Sequence, residues 1–437
     1  MRKGTAVRKD YQNQEIDTSQ PAVPDTVSVA LAELAGEMRE GLLALAVGTG
    51  LQVMAAIMEA DVTAVCGPKG RHDPERTATR HGHGAGSVSL GGRRVPVQRP
   101  RMRAVDGSGE LPVAAYELFS STEILGRMAL DRMLAGLSPR RYPVGLEPVG
   151  TRTETAATST SRSAVSRRFV AQTETALAAL LSADLSGLDL VAFMVDGVHF
   201  GEHCCVVALG IDIDGTKHPL SLVEGSTENA TLVTELIVGL RERGLDVTKP
   251  ILAVLDGSKA LRRAVLDVFD RPVIGRCQLH KIRNVADHLP EKLRSTVTSR
   301  MRRAYHADSA LAAEAELTAL AAELDRTHPG AAASLREGMD ETLTVLRLNL
   351  PPTLARTFRS TNAVESMISI CRDHSANVKR WRDGQMALRW CAAGLVEASK
   401  QFRRVNGHLH LRSLRDTLER VTQPVDATDH TERVQAA

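Results

Sequence analysis

The sequence predicts an α/β fold whose sheet lies in the second half of the chain, and two observations predict it. From Leu188 onward, apolar runs of strand length alternate with amphipathic stretches in the order three strands, helix, strand, helix, strand, helix. Two of the runs, DLVAFMVDG and PILAVLDG, end in Asp-Gly, so each carries a carboxylate at its C-terminal end. An antiparallel meander extended by parallel strands with crossover helices is the order of a ribonuclease H-like core.

Taken in chain order, residues 1–24 and the stretch from Gln423 onward have the polar composition of disordered tails. Residues 25–65 carry Ala/Leu/Val periodicity and are expected to be helical. Within them, Gly41 to Met58 lacks any charge. That length raises a membrane span, but the internal Gly48 and Gly50, Thr49, Gln52 and flanking Glu favour a buried helix pair. SVSLGGRRVPVQRPRMR alternates apolar and basic residues around Gly-Gly, which predicts a short hairpin with one cationic face. Arg93, Arg94, Arg101 and Arg103 lie on it, in a window without acids between Glu75 and Asp106. Such a face suits a phosphate backbone, or equally a strand edge charged against aggregation.

Residues 120–180 are expected to be helical again. A Ser/Thr cluster opens TSTSRSAVSRRFV, so Ser161 to Arg168, with Arg162, Arg167 and Arg168, reads as the second helix of a helix-turn-helix or as a capped surface helix. CCVVALGIDIDGTKHPLSLVEG is two strands around an Asp-Gly turn, ENATLVTELIVGLRERGL and SKALRRAVLDVF are helices, and RPVIGRC is a short strand. The expected organisation is a tail (1–24), a helical and basic region (25–110), a helical DNA-binding region (111–185), the core (186–285 and 350–405), a helical insertion (286–349), and a C-terminal helix and tail (406–437).

Bulk numbers bound the function weakly. The chain has 437 residues, 43% hydrophobic and 24% charged, and a net charge of only +3, so total charge does not argue for nucleic acid. Of its 55 basic residues 45 are Arg, the better bidentate partner for phosphate, although GC-rich coding DNA accounts for much of that bias. Six scattered cysteines without framework spacing point to reduced thiols in a cytoplasmic protein.

Three acids are candidates for chemistry. Asp196 and Asp256 end the two strands, and if those strands are neighbours both carboxylates meet at one sheet edge. Glu365 in STNAVES falls in the first turn of a helix. Clustered carboxylates repel one another unless a cation is present, and a hard oxygen-liganded ion resolves this. Two Mg²⁺ ions, or Mn²⁺, would activate an attacking oxygen and stabilise the leaving one. Each acid also has an ordinary reading: Asp-Gly is a common turn, and Asn362 with Glu365 fits a capping box with Asn362 as N-cap.

The same residues resemble the mutator-type bacterial insertion-sequence transposases, a family with an Asp-Asp-Glu triad. The matching pieces are VDGVHFGEHCCVVALGIDIDGTKHPLSLVEGSTEN, LDGSKALRRAV, GRCQLHKIRNV and STNAVESMISICRDHSANVKRWRDGQMALRW. Sixty residues separate the two Asp and 109 the second Asp from Glu365, with the family's helical insertion between. The resemblance implies a DDE transposase with Asp196, Asp256 and Glu365 as metal ligands. It further implies double-stranded DNA bearing terminal inverted repeats, together with target DNA, as substrate, and a homodimer or higher complex on DNA, without a membrane. The family's Cys-x-x-His pair is matched by Cys277 and His280. No second pair at finger spacing accompanies them, so they are expected to begin a helix beside the triad, with His280 near the scissile phosphate or in a structural role. Around them Arg276, Lys281 and Arg283 are candidate DNA contacts, as are Arg372, Lys379, Arg380 and Arg382. Trp381 either stacks on a displaced base or belongs to the core.

Two other classes compete. A non-catalytic DNA-binding protein descended from a transposase would keep the DNA contacts without the chemistry. VVALGIDIDGT has the form of a haloacid dehalogenase-like phosphatase motif with Asp212 as nucleophile, but no later paired acidic motif follows, and SLVEG makes Asp214-Gly215 a hairpin turn.

Overall fold

A computed structural model describes residues 41–71 and 73–423. The tails, and any helix before residue 41, lie outside the described residues. The chain forms two compact units, Met1–Ile124 with Leu146–Thr160, and Leu125–Gly145 with Ser161–Ala437.

In the first unit, α1 (Leu42–Cys66) is followed by β1 (Ala78–Leu90), β2 (Arg93–Ala104), β3 (Glu110–Leu111), α2 (Ala114–Ser120) and, after the excursion into the other unit, α4 (Thr151–Ala156). β1 and β2 pair antiparallel from Ala78↔Ala104 to Leu90↔Arg93. Gly91 and Gly92 make the two-residue turn at φ 53° and 79°, the left-handed pair that matches strand twist in a hairpin and that glycine adopts without strain. The expected short hairpin is therefore real but long. Its core joins Met58, Val62 and Cys66 of α1 to Ala78, Met102, Val113 and Ala115.

The expected buried helix pair over Gly41–Met58 is corrected. It is one continuous helix, long and apolar enough to cross a membrane by length and composition, with only 17% of its most apolar window buried. Ala44, Gly48, Met58, Val62 and Cys66 are its buried residues, recurring mostly four apart, so one stripe packs while Leu42, Val53 and Ile57 face outward.

The second unit opens with α3 (Glu123–Leu134) and α5 (Arg162–Ser182), whose N-cap Ser161 accepts the Ala164 N–H. Its sheet comprises β4 (Leu190–Phe200), β5 (His203–Asp212), β6 (Lys217–Glu224), β7 (Ile251–Leu255) and β8 (Pro272–Arg276), in the order β6-β5-β4-β7-β8. β4, β5 and β6 are antiparallel neighbours; β4, β7 and β8 run parallel. The parallel strands need crossovers, supplied by α6 (Ala230–Glu242) and α7 (Lys259–Val268). These cover one face through Val233, Leu236, Leu240, Leu261 and Val265 against Phe193, Val195 and Val206. α14 (Pro352–Phe358), α15 (Asn362–Ser375), α16 (Gly384–Ser399) and α17 (Leu411–Thr422) cover the other, against Met194, Val198 and Val207. With both faces covered, β7 is buried at every residue, which is why it reads as an unbroken apolar run.

Between β8 and α14 come α8 (Gln278–Asp287), α9 (Glu291–Ala304), α10 (Ala310–Asp325), α11 (Pro329–Arg336), α12 (Met339–Thr342) and α13 (Thr344–Arg347). They close a core of their own around Val285, Met301, Leu317 and Leu335. The element order and the all-α insertion match the sequence reading, so the fold is mixed α/β.

Candidate active site

β4 and β7 lie in parallel register, Ala192 beside Leu252 and Met194 beside Val254. Carried two residues further, that register sets Asp196 beside Asp256 at the same edge. After β8 the chain turns at once into α8, and the Cys277 N–H donates to the Leu255 carbonyl at 2.7 Å. The Gln278 N–H then donates to the Arg359 carbonyl at 2.9 Å, which ties the start of α8 to the segment leading into α15. Glu365 lies in the first turn of α15, near enough for its charge to act on Asp196.

Asp196 senses the other two acids. Burial pushes the Asp196 carboxyl above its ordinary value, Asp256 and Glu365 push it the same way, and the Gly197 N–H and His280 oppose them. Each carboxylate has one oxygen held. Asp196 Oδ1 accepts the Gly197 N–H at 2.7 Å, and Asp256 Oδ1 accepts the Ser258 N–H at 2.8 Å. Glu365 Oε1 accepts the Thr361 hydroxyl at 2.8 Å. Ser258 also caps α7, accepting the Leu261 N–H, so the turn after β7 is fixed from both sides. Gly257 has φ 109°, and a Cβ there would fall on the Arg276 guanidinium, so this position requires glycine.

The expected capping box is corrected. The N-cap of α15 is Thr361, not Asn362, and Glu365 does not reach back to a backbone N–H. It bonds the Thr361 side chain instead, because it sits four residues on, where i and i+4 side chains meet.

Cys277 and His280 come closer to the triad than their spacing suggested. The Thr361 hydroxyl lies 3.4 Å from both Cys277 Sγ and His280 Nδ1, and His280 Nε2 lies 3.7 Å from Glu365 Oε1. Donor atoms of Cys277, His280 and Glu365 all fall within 4.8 Å of one another. Burial raises the Cys277 thiol, but hydrogen bonds with His280 and Thr361 outweigh it and leave the thiol below its ordinary value. The hydrogen bond with Cys277 raises the His280 imidazole, helped by Glu365 and Asp196 and opposed by burial. Thr361, fully buried at the centre of this group, is a residue the sequence reading missed. Its signal was its place four residues before Glu365.

Several expected DNA contacts are corrected, because their charges are spent inside the protein. Arg93 is 2% exposed and donates to the Gly91 and Glu147 carbonyls and to Glu154. Arg94 donates to Ser87, Ser89 and the Ser120 carbonyl. Arg276 and Lys281, 7% and 0% exposed, both grip Glu337 at the end of α11. Arg101 forms a two-pronged pair with Glu110 at the surface, so its expectation as a DNA contact is not among those corrected. Trp381 packs against Phe200 and Trp390, with ring centroids 4.8 Å and 6.2 Å away, which is a core role rather than a free stacking platform. Arg168 is half-buried, whereas Arg103, Arg162, Arg167, Arg283, Arg372, Lys379, Arg380 and Arg382 are exposed. Asp212, the phosphatase decoy, is consumed in the β5–β6 turn, accepting the Asp214 and Thr216 N–H groups and pairing with His218 at 2.7 Å. The helix-turn-helix expectation, LDRMLAGLSPRRY followed by Ser161 to Arg168, falls on α3 and the start of α5, which belong to the same unit.

Comparison with known proteins places the chain in a family. Residues 28–405 match the family described as Transposase, Mutator family. The transposase for insertion sequence element IS6120 of Mycolicibacterium smegmatis is 29% identical over 211 residues, 47% of this chain and 64% of that protein. The transposase for insertion sequence element ISRM5 of Rhizobium meliloti (strain 1021) is 25% identical over 367 residues, 83% of this chain and 90% of that protein. A match spanning both units and all three acids is more than a shared motif, and the chain belongs to the Mutator family of transposases.

Proposed function

We propose that this chain is a DDE transposase whose ribonuclease H-like core cuts and joins DNA strands with divalent ions held by Asp196, Asp256 and Glu365. One observation carries it: the parallel register of β4 and β7 brings the strand ends bearing Asp196 and Asp256, 60 residues apart in the chain, side by side, and the tie of Gln278 to Arg359 brings in the start of α15 with Glu365. A sheet of order 3-2-1-4-5, antiparallel then parallel, supports the ribonuclease H-like assignment.

The donor set fits a hard cation, since three carboxylates in mutual repulsion offer oxygen atoms that a divalent ion would satisfy. Asp196, Asp256 and Glu365 would hold two Mg²⁺ ions (or Mn²⁺), which would supply activation of an attacking water or 3′-hydroxyl and stabilisation of the leaving oxygen of a phosphodiester. The chain's own residues prepare the geometry. Ser258 and Gly197 fix one oxygen of each Asp, and Thr361 fixes one of Glu365. His280 and Cys277 hold Thr361 in turn. The substrate is double-stranded DNA with terminal inverted repeats and a target, held by a dimer or larger complex, with the exposed arginines and Lys379 available for its phosphates.

Two outcomes are expected. A duplex carrying the ends that flank this gene is nicked and joined with Mg²⁺ and left intact in EDTA. Binding without cutting in Mg²⁺ would make the chain a non-catalytic DNA-binding protein instead. Thr361→Val should weaken Mn²⁺ binding, read by electron paramagnetic resonance titration, by about 10–100-fold, the usual effect of losing a ligand's supporting hydrogen bond. Thr361→Ser should restore it; equal affinity in wild type and Thr361→Val would remove Thr361 from this role.

A further inference from the structure

A cavity of about 570 Å³ lies among α8, α9 and α13–α14, outside the triad. Its floor is apolar, built from Leu279, Ile282, Tyr305, Val345 and Ala355. Its rim is cationic: Arg302, Arg356 and Arg359 line it beside His306, with Asp308 the one acid on the lining. None of these three arginines takes part in the ion pairs found among the described residues. Arg359 Nε is buried without a hydrogen-bond partner. Burial, and then the neighbouring Arg356, holds the Arg359 guanidinium below its ordinary value. Two adjacent guanidinium groups without a carboxylate repel each other, and an anion between them would relieve both that repulsion and the orphaned donor.

The position is informative. Ser360 and Asn362, which flank Thr361, line the same cavity, and so does Gln278, next to Cys277. The pocket therefore opens within one helical turn of Glu365. A phosphate alone needs cations but no apolar floor, whereas a base needs an apolar slot and brings phosphates with it. The volume falls in the roughly 300–1,000 Å³ range of small-molecule sites.

We propose that this pocket receives one nucleotide of the DNA substrate drawn out of the helical stack, its base on the Leu279–Ile282 floor and its flanking phosphates on Arg302, Arg356 and Arg359. This rests on reading the chain as a DNA-cutting enzyme. Unstacking is unfavourable and is offset by the apolar floor and the charge-assisted hydrogen bonds.

The test places 2-aminopurine, which brightens when unstacked, in turn at each position around the terminal junction of the duplex, and mixes it with full-length protein in EDTA. One position near the junction should brighten several-fold with wild type. Arg356→Glu, a rim change at an exposed residue, and Arg359→Ala should each abolish the rise while DNA affinity falls less than about tenfold. No bright position, or a rise that both variants retain, overturns the proposal. Weaker binding with an unchanged emission pattern also overturns it, since the arginines would then grip stacked backbone. Because emission is read without metal, brightening with no Mg²⁺-dependent cutting supports the pocket while sinking the enzymatic reading. Cutting without brightening does the reverse.

Discussion

Asp256→Asn and Glu365→Gln are each expected to lower strand cleavage by at least about 10²–10³-fold while leaving affinity for DNA ends within about twofold. Both exchanges keep side-chain volume and replace one anionic oxygen by a neutral amide. At Asp256 the remaining oxygen still accepts the Ser258 N–H, so the turn and the cap of α7 survive. At Glu365 the amide oxygen still accepts the Thr361 hydroxyl. What is lost is charge: with one carboxylate gone, the site attracts a divalent cation less and the remaining acids repel each other less. Without metal the variants should therefore melt no lower than wild type. Added Mg²⁺ should raise the melting temperature of wild type and not of the variants, since a ligand stabilises in proportion to its binding. Variants that cut DNA as fast as wild type would place the chemistry elsewhere in the fold.

Lys281→Met should destabilise the second unit by about 2–4 kcal/mol at pH 7, and the deficit should widen as pH rises from about 8 to 10. The ammonium is fully buried and donates at 2.6 Å to each of the Ser334 and Glu337 carbonyls. Its loss strands two acceptors, each worth about 1–3 kcal/mol. Burial, and then the charge of Arg276, lowers the lysine from 10.5 to about 8. Between those values the unfolded chain holds a proton that the folded chain has released, so wild-type stability rises with pH across that window. The methionine variant lacks this gain. Thermal melts of both proteins at pH 7, 8, 9 and 10 check it, and a gap that narrows with pH would contradict the buried, depressed amine.

Charge counts along the chain could not tell a DNA contact from an internal anchor. Arg93, Arg276 and Lys281 sit in basic stretches like those of Arg103 and Arg283, yet the first three are buried and the last two exposed. What separates them is an acceptor far away in the chain: Glu154 for Arg93, Glu337 for Arg276 and Lys281. A long cationic side chain is buried only where such partners meet it, and partner choice is a tertiary property. The rim arginines Arg302, Arg356 and Arg359 were missed for the converse reason, because they come from two helices that share a cavity only after the insertion folds back on α14.

By itself, the sequence determined the order of strands and helices, the Asp-Gly strand ends and the Gly-Gly hairpin, because each follows from local period and turn chemistry. It also marked Asp196, Asp256 and Glu365 as a candidate set, from two acids at strand ends and one at a helix start and from the family resemblance of the motifs around them. Only the tertiary structure decided that β4 and β7 share a register, that Thr361 links Cys277, His280 and Glu365, and that α1 is one exposed helix. The strand register and the contacts of Thr361 with Cys277 and His280 join residues about 60 to 84 positions apart, and such contacts leave no period in the chain for a reader to find.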